Sequence, residues 1–231
     1  MKLERIISWL DKTLKVSSFD DVSNNGLQVD RFVASTQTLK HSNTQTITTV
    51  AFAVDASVRA VEAAAKAGAQ LLVVHHGISW GGGIKRLTGG VGNVVRAAMK
   101  ANLAIAAYHL PLDAHPTLGN NAQLAKYFGL KKVKPAFSYH GNVIGVIGTN
   151  RHGKLIGICS GGAGEFAEEA KNLGCDLYLT GEASWGDVIA AENCGMEMIC
   201  AGHYETEVFG VRALAQAMKK ALKLRTVDLT K

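Results

Sequence analysis

Apolar residues at the start of the chain recur three and four positions apart. They are Leu3, Ile6, Ile7, Leu10 and Leu14. This spacing places them on one face of a helix, because an α-helix completes a turn about every 3.6 residues. The chain therefore opens with a predicted amphipathic helix, whose apolar face needs a protein core to cover it.

Strand-like apolar runs and helical patterns then alternate along the chain. The predicted strands cover 46–54, 71–74 and 104–108, and the helices between them cover 58–67 and 91–101. Ser57 lies where a helix N-cap is expected, and Gly68 lies where that helix is expected to stop. This alternation is typical of a parallel or mixed sheet covered by helices. Such sheets carry functional groups at the carboxyl ends of their strands.

Pro135 follows a basic run and marks the predicted start of a second unit. Strands are predicted there over 142–148, 154–159, 176–180 and 196–200, and helices over 165–173 and 184–193. A final helix is predicted over 205–222 and returns to the first unit. We therefore expect an α/β protein of two interlinked α/β domains, with mixed sheets covered by helices. The first domain is expected to comprise 1–130 and 205–231, and the second to comprise 131–204.

The composition is that of an ordinary globular protein. Of the 231 residues, 47% are hydrophobic and 19% are charged, which excludes the disordered class. The net charge of +6 is scattered, and its densest runs lie at 131–134 and 219–225. Runs of this kind usually form a solvated helix or loop face. Because the basic residues are scattered, nucleic-acid binding is only weakly supported.

Secretion and membrane association find no support in the sequence. The N-terminal segment carries charges throughout and lacks the apolar core of a signal peptide. No apolar run approaches the roughly 20 residues that span a bilayer. The four cysteines contain no pair with CxxC spacing, and Cys159 and Cys200 lie in apolar strand-like runs. We expect a cytoplasmic protein with reduced thiols, of which these two are expected to be buried.

Two adjacent histidines, His75 and His76, end a predicted apolar strand. Neutral imidazole is a common ligand of transition metals. Neighbouring side chains on a strand point to opposite faces, but at a strand end each can reach a different metal of a close pair. The alternative is a hydrogen-bonded core histidine beside an exposed loop histidine.

Two further segments bring histidine and carboxylate side chains together. His203 and Glu207 are four residues apart near the start of the final helix, so they share one helix face. His109, Asp113 and His115 follow the predicted strand at 104–108. An acidic residue at a helix start is also favoured by the helix dipole, which explains Glu207 without a metal but does not explain His203.

The glycine-rich segment at 160–167 allows a different interpretation. Gly162, Gly164 and Ala167 fit G-x-G-x-x-A between a strand and a helix, a pattern found in dinucleotide-binding loops. Glu165 would repel a pyrophosphate at the start of that helix. We therefore favour a tight strand-to-helix turn, with NAD binding as the weaker alternative.

In combination, these segments resemble the NIF-three-like family, whose bacterial members are widely labelled type 2 homologues of GTP cyclohydrolase I. The matching stretches are SNNGLQVD (23–30), VVHHGISWGG (73–82), YHLPLDAHPTLGNN (108–121), CSGGAG (159–164), LYLTGE (177–182) and AGHYETEVFG (201–210). They extend over most of the chain. At 183–186 the chain has ASWG, where relatives often carry histidine, acidic or amide residues, so this loop is not expected to contribute to the site.

The resemblance implies a dinuclear metal centre between the two domains and a toroidal homohexamer. Carried over by position, His75 and Asp113 would bind one metal. His76 and His203 would bind the other, and Glu207 would bridge both. Two divalent ions per chain are expected, with zinc, iron, manganese, nickel and cobalt as the candidates.

These ligands favour a metal-dependent hydrolase that acts on a nucleotide or a phosphoester. Two cations about 3.5–4 Å apart activate water toward an electrophilic carbon or phosphorus. His109 is the candidate general acid/base, because imidazole titrates near neutral pH, and Glu182 is a second catalytic candidate. In the reaction of the family label, water attacks a guanine ring carbon of GTP and formate is released. The alternative is a non-catalytic, metal-binding hexameric scaffold or adaptor that acts through partners.

Overall fold

The computed structural model describes residues 1–31 and 46–230 and contains two compact units. The first unit comprises Met1–His109 and Leu214–Lys231, and the second comprises Leu110–Ala213. The first unit is thus discontinuous, with boundaries at 109/110 and 213/214. The boundaries expected from the sequence were 130/131 and 204/205, whereas the segments 110–130 and 205–213 lie in the second compact unit.

Both units contain helices and strands. The described helices are α1 (Leu3–Leu14), α2 (Val58–Lys66), α3 (Gly89–Ala101), α4 (Leu110–Asp113), α5 (Asn120–Tyr127), α6 (Ala167–Asn172), α7 (Trp185–Cys194) and α8 (His203–Leu222). The described strands are β1 (Gly26–Val29), β2 (Thr49–Asp55), β3 (Leu71–His76), β4 (Ala104–Ala107), β5 (Lys131–Tyr139), β6 (Asn142–Thr149), β7 (Leu155–Gly162), β8 (Leu177–Glu182), β9 (Met198–Cys200) and β10 (Arg225–Asp228). Short 3-10 turns lie at Val16–Ser18 and Gly164–Phe166.

The first unit contains a mixed five-stranded sheet with the order β1-β4-β3-β2-β10. Strands β4, β3, β2 and β10 are parallel, and β1 pairs antiparallel with β4. All of β4 and all of β2 except its last residue are buried, as expected for parallel strands covered on both faces. Helices α2 and α3 share a core cluster with this sheet, including Val61, Ala64, Leu72, Val94 and Ala98.

The second unit contains another mixed five-stranded sheet, with the order β5-β6-β7-β8-β9. Neighbours among β5, β6 and β7 are antiparallel, whereas β7, β8 and β9 are parallel. Helix α5 contributes Leu124 and Ala125 to a cluster with Ile156, Ile158 and Leu179 of the sheet. The predicted fold class, α/β with mixed sheets and helices, is therefore confirmed.

The ends of the parallel strands in the first unit carry polar side chains. His76, the last residue of β3, lies in register with Asp55, the last residue of β2. The next strand of the sheet, β4, ends immediately before Tyr108 and His109. Because parallel strands end at the same edge of a sheet, these residues lie together. The sequence predicted this placement for the histidines but not for Asp55.

Two expectations about individual segments are wrong. The basic run at 131–134 forms neither a helix nor a loop but the exposed start of the edge strand β5. Lysine is common on edge strands, because a solvated charge discourages pairing with another chain. Cys159 is buried as expected, but Cys200 is exposed, because it ends β9 at the opposite edge of the same sheet. Among the described helices, none combines the length and the hydropathy of a membrane span.

Candidate metal centre

Three histidines of the first unit converge at the carboxyl edge of its sheet. The ring centroids of His75 and His76 lie 4.6 Å apart, and that of His109 lies 5.1 Å and 5.7 Å from them. One ring nitrogen from each of the three lies within 4.8 Å of the others. His75 is fully buried, whereas His76 and His109 are partly exposed. The end of β3 and the residue that follows Tyr108 therefore bring three imidazole rings into one cluster.

Each of the three imidazoles is oriented by an oxygen atom that accepts a hydrogen bond from Nδ1. The acceptor is the main-chain oxygen of Tyr108 for His75, at 2.9 Å. For His76 it is Oδ1 of Asp55, also at 2.9 Å. Because these oxygens only accept, Nδ1 carries the proton and Nε2 carries the lone pair that a metal requires. Metal-binding histidines typically have this second hydrogen bond to a carboxylate or carbonyl.

His109 is held by a more extensive network. Its Nδ1 lies 2.9 Å from Oδ1 of Asp21, a carboxylate whose side chain is only 2% exposed. Asn25 donates to the other oxygen of Asp21 at 2.8 Å and accepts from the main-chain N–H of His109 at 2.7 Å. Burial pushes the pKa of Asp21 upward, but hydrogen bonds from His109, Asn25 and Ser23 and the charge of His109 outweigh it, and the pKa is lowered. Asp21 is therefore ionised and fixes the ring of His109.

The second unit groups Asp113, His203 and Glu207. Glu207 is 3% exposed, and its Oε1 lies 3.1 Å from Nε2 of His203 one helical turn earlier. The other nitrogen of His203, Nδ1, lies 3.0 Å from Oε1 of Glu182. A carboxylate oxygen of Asp113 lies within 4.8 Å of one from Glu207. Helix α8 begins at His203, two residues earlier than predicted, so His203 and Glu207 lie on one face of the helix.

Asp113 is buried among polar groups that donate to it. Its Oδ1 accepts from Nδ2 of Asn120 at 2.8 Å and from Oγ of Ser160 at 3.2 Å. Oδ1 of Asn120 in turn accepts from the N–H of Gly210 in α8 at 2.7 Å. These hydrogen bonds offset part of the desolvation cost of a buried carboxylate, which is several kcal/mol in order of magnitude when uncompensated.

Gly161 lies where the main chain comes close to the site. A Cβ atom at this position would lie 2.5 Å from Oε1 of Glu207 and 3.3 Å from Nε2 of His203. Its φ of +69° is also in the left-handed region that glycine tolerates. The glycine-rich segment at 160–164 therefore leaves room for the two side chains. This role agrees with the tight turn favoured over a dinucleotide loop.

The surroundings of His203 raise its pKa to about 9. The largest cause is its hydrogen bond to Glu207, which burial opposes, and the charges of Glu207 and Glu182 add to the increase. Both ring nitrogens face carboxylate oxygens, an arrangement that suits a cation between His203 and Glu207. A proton on Nε2 provides this positive charge at neutral pH, and a divalent metal bound by the same two atoms would provide it more strongly.

The donor atoms of both units fit divalent transition metals. The first unit offers imidazole nitrogens with oriented lone pairs, and the second offers two buried carboxylates and a further imidazole. Mixed nitrogen and oxygen ligands of this kind suit zinc, iron, manganese, nickel and cobalt. Calcium and magnesium prefer oxygen ligands almost exclusively, so the histidines argue against them.

Several contributing residues were not found from the sequence. They are Asp21, Asp55, Asn120, Ser160 and Gly161, together with the carbonyl of Tyr108. Three of them had a local signal, because Asp55 directly follows the predicted strand at 46–54 and because Ser160 and Gly161 lie in the glycine-rich segment at 160–167. His115, in contrast, accepts hydrogen bonds at Nδ1 from the N–H groups of Thr117 and Leu118, at 3.2 Å and 3.0 Å. It stabilises a turn.

Comparison with known proteins gives consistent matches over the whole chain. The model of the Duf34/NIF3 (NGG1p interacting factor 3) family matches residues 1–154 and 136–230. The chain is 36% identical over 256 residues to a Pyrococcus horikoshii protein named GTP cyclohydrolase 1 type 2 homolog, covering 98% of this chain and 97% of the relative. A Deinococcus radiodurans protein with the same name is 38% identical over 241 residues, covering 92% and 86%.

The fold has a counterpart among solved structures. TTHA1606 from Thermus thermophilus superposes with a TM-score of 0.79 at 27% identity. The superposition covers 99% of this chain and 98% of that protein. Both units described above therefore lie within the matched region.

The raised pKa of His203 predicts a pH-dependent stability of the metal-free protein. In the unfolded chain this pKa is near 6.5, and in the folded chain it is about 9. The stabilisation is therefore fully present below pH 6.5 and is lost as the pH rises through about 9. We expect the Tm of chelator-treated protein to fall over this range and to fall less in His203→Gln. His140→Gln, at an exposed histidine, is the control and should keep the wild-type slope; an equal slope in His203→Gln would refute the assignment.

Proposed function

The chain belongs to the Duf34/NIF3 family, and on that premise we propose that it is a metal-dependent hydrolase with a dinuclear centre, acting on a nucleotide or a phosphoester. One observation carries this proposal: each of four histidines has Nδ1 within 3.0 Å of an oxygen that accepts a hydrogen bond from it. The four are His75, His76, His109 and His203. Oriented imidazoles beside buried carboxylates are characteristic of metal sites and are costly to maintain without a cation.

The proposed ligand set draws on both units. As the family resemblance implies, His75 and Asp113 would hold one metal, His76 and His203 would hold the other, and Glu207 would be shared by both. Within the second unit, the proximity of the Asp113 and Glu207 carboxylates and the contact of Glu207 with His203 support a shared carboxylate. Within the first unit, the short separation of His75 and His76 supports neighbouring metals.

Bound divalent cations would lower the pKa of water and polarise a phosphoryl or carbonyl oxygen of the substrate. The residues around them divide into orienting groups and one proton carrier. Asp55 orients His76, and Glu182 orients His203 through Nδ1. This contact favours an orienting role for Glu182 over the catalytic role considered from the sequence.

His109 is the proposed general acid/base. It lies beside His75 and His76, but it is not one of the five ligands that the family resemblance implies. Asp21 holds the proton of the ring on Nδ1, so Nε2 is the atom that accepts and returns a proton. An imidazole is suited to this exchange, because its ordinary pKa lies near neutral pH.

Relatives of the chain are named GTP cyclohydrolase 1 type 2 homolog, which makes a nucleotide the first substrate to test. A panel of nucleotides and simple phosphoesters tests the wider class with the same metal-loaded protein. Turnover of at least one compound is the expected result. If the wild type turns over none, the protein is better described as a metal-binding scaffold. The closed homohexamer implied by the resemblance is part of the same proposal, as is a location in the cytoplasm.

Removing the bridging charge should affect both metals. We expect Glu207→Gln to lose both metals on dialysis and to lose activity, because an amide carries no charge to share between two cations. His75→Ala should lose chiefly one metal. The measurement is the metal content of the dialysed variants relative to the wild type. Glu205→Gln, on an exposed acid in the same helical turn, is the matched control and should keep both metals. Two metals retained in Glu207→Gln would show that Glu207 is not the bridge.

Loss of the proton carrier should reduce turnover without removing metal. We expect His109→Ala to keep both metals and to lower kcat by about 10²–10⁴-fold, the usual effect of removing a general acid or base. Asp21→Asn should lower it by about 10–100-fold, because the ring of His109 loses its fixed orientation. Asp20→Asn, at the exposed neighbouring acid, serves as the control. If metal is lost in proportion to the rate, His109 supports a ligand instead of carrying a proton.

A further inference from the structure

Trp80 lies beside the histidine cluster of the first unit. Its ring centroid is 5.1 Å from that of His109 and 6.1 Å from that of His76. The indole plane is inclined by 75° to the first imidazole and by 41° to the second. Neither imidazole therefore stacks in parallel on the indole. The side chain keeps 37% of its surface exposed to solvent.

The position of Trp80 is fixed by the protein itself. Its indole N–H donates to the main-chain oxygen of Gly77 at 3.0 Å. Its main chain forms a β-bridge with Ser23, and the N–H of the following Gly81 donates to the oxygen of Val22 at 2.6 Å. Because its one polar atom is already used, the exposed part of the ring offers only apolar π surface.

An exposed, rigid indole next to a catalytic centre is suited to holding a flat ring. A cationic ligand would also bind an indole face, but the proposed metals beside His76 and His109 would repel it. A nucleotide avoids this repulsion because its phosphate groups are anionic, and its planar base stacks on aromatic faces. We propose that Trp80 is the platform on which the base of a nucleotide substrate stacks. This inference rests on the proposed function, and it names the substrate class of the same site.

The test compares two ligands that differ only in the base, guanosine 5′-monophosphate and ribose 5-phosphate. Their affinities for the metal-loaded full chain are measured by calorimetry. We expect Trp80→Ala to weaken the binding of guanosine 5′-monophosphate by about 5- to 150-fold, the range for loss of one base–aromatic stack. Ribose 5-phosphate should change by less than about 2-fold, because it has no base to stack. Trp80→Phe should keep most of the affinity, since it retains an aromatic face.

Two controls separate stacking from general damage. Trp185→Ala removes an indole that is 75% exposed in the second unit and should leave both affinities unchanged. Metal content and Tm of each variant show whether the site and the fold persist. The inference is overturned if Trp80→Ala binds both ligands as the wild type does, or weakens both equally. It is also overturned if the wild type binds guanosine 5′-monophosphate no more tightly than ribose 5-phosphate.

The outcome also distinguishes this inference from the proposed hydrolase. Base-dependent binding through Trp80, with no turnover of any compound in the panel, would support the platform and reject the hydrolase. The opposite result would be turnover of a phosphoester at a rate that Trp80→Ala leaves unchanged, with guanosine 5′-monophosphate bound no more tightly than ribose 5-phosphate. That result would support the hydrolase and reject the platform.

Discussion

The site depends on hydrogen bonds that fix imidazole rings at the ends of parallel strands. In the first unit, the main-chain oxygen of Tyr108 and the carboxylates of Asp55 and Asp21 each accept a hydrogen bond from Nδ1 of one histidine. Asp55 lies on β2, Tyr108 directly follows β4, and Asp21 lies in the segment that precedes β1. The sheet therefore sets both the positions of the histidines and the nitrogen that each one presents. A rotated ring would present its proton in place of its lone pair and could not bind a metal.

Buried negative charge imposes the complementary requirement in the second unit. Glu207 and Asp113 are 3% and 7% exposed, and the desolvation of each favours a nearby cation. The hydrogen bond to Glu207 and the charges of Glu207 and Glu182 raise the pKa of His203, so a protonated imidazole places a positive charge beside Glu207 at neutral pH. Two further residues support the buried carboxylates. Gly161 leaves space beside Glu207, and the side-chain amide of Asn120 donates a hydrogen bond to Asp113. The stability of the second unit and the proposed binding of metal therefore depend on the same few side chains.

Much of the fold could be predicted from the sequence, because its strands and helices have strong periodic patterns. The α1 helix begins and ends where its apolar spacing indicated, and β3 ends at the predicted pair of histidines. Strand β5 was missed, because its lysines resemble a solvated surface and an edge strand has one side open to water. The four-residue strand β10 was also missed, because it is too short for periodicity to be evident. The orienting residues were hardest to find, since Asp21 reaches His109 across 88 positions of the chain.

The most direct test of the dinuclear account is the metal content of the wild-type protein. The chain is purified without chelator, reconstituted with an excess of divalent metal at neutral pH, freed of unbound metal and analysed for its elements. The account predicts two tightly held divalent ions per chain, with imidazole ligands visible in X-ray absorption spectra. One ion or fewer per chain after reconstitution would contradict the dinuclear centre, and with it the proposed bridging role of Glu207.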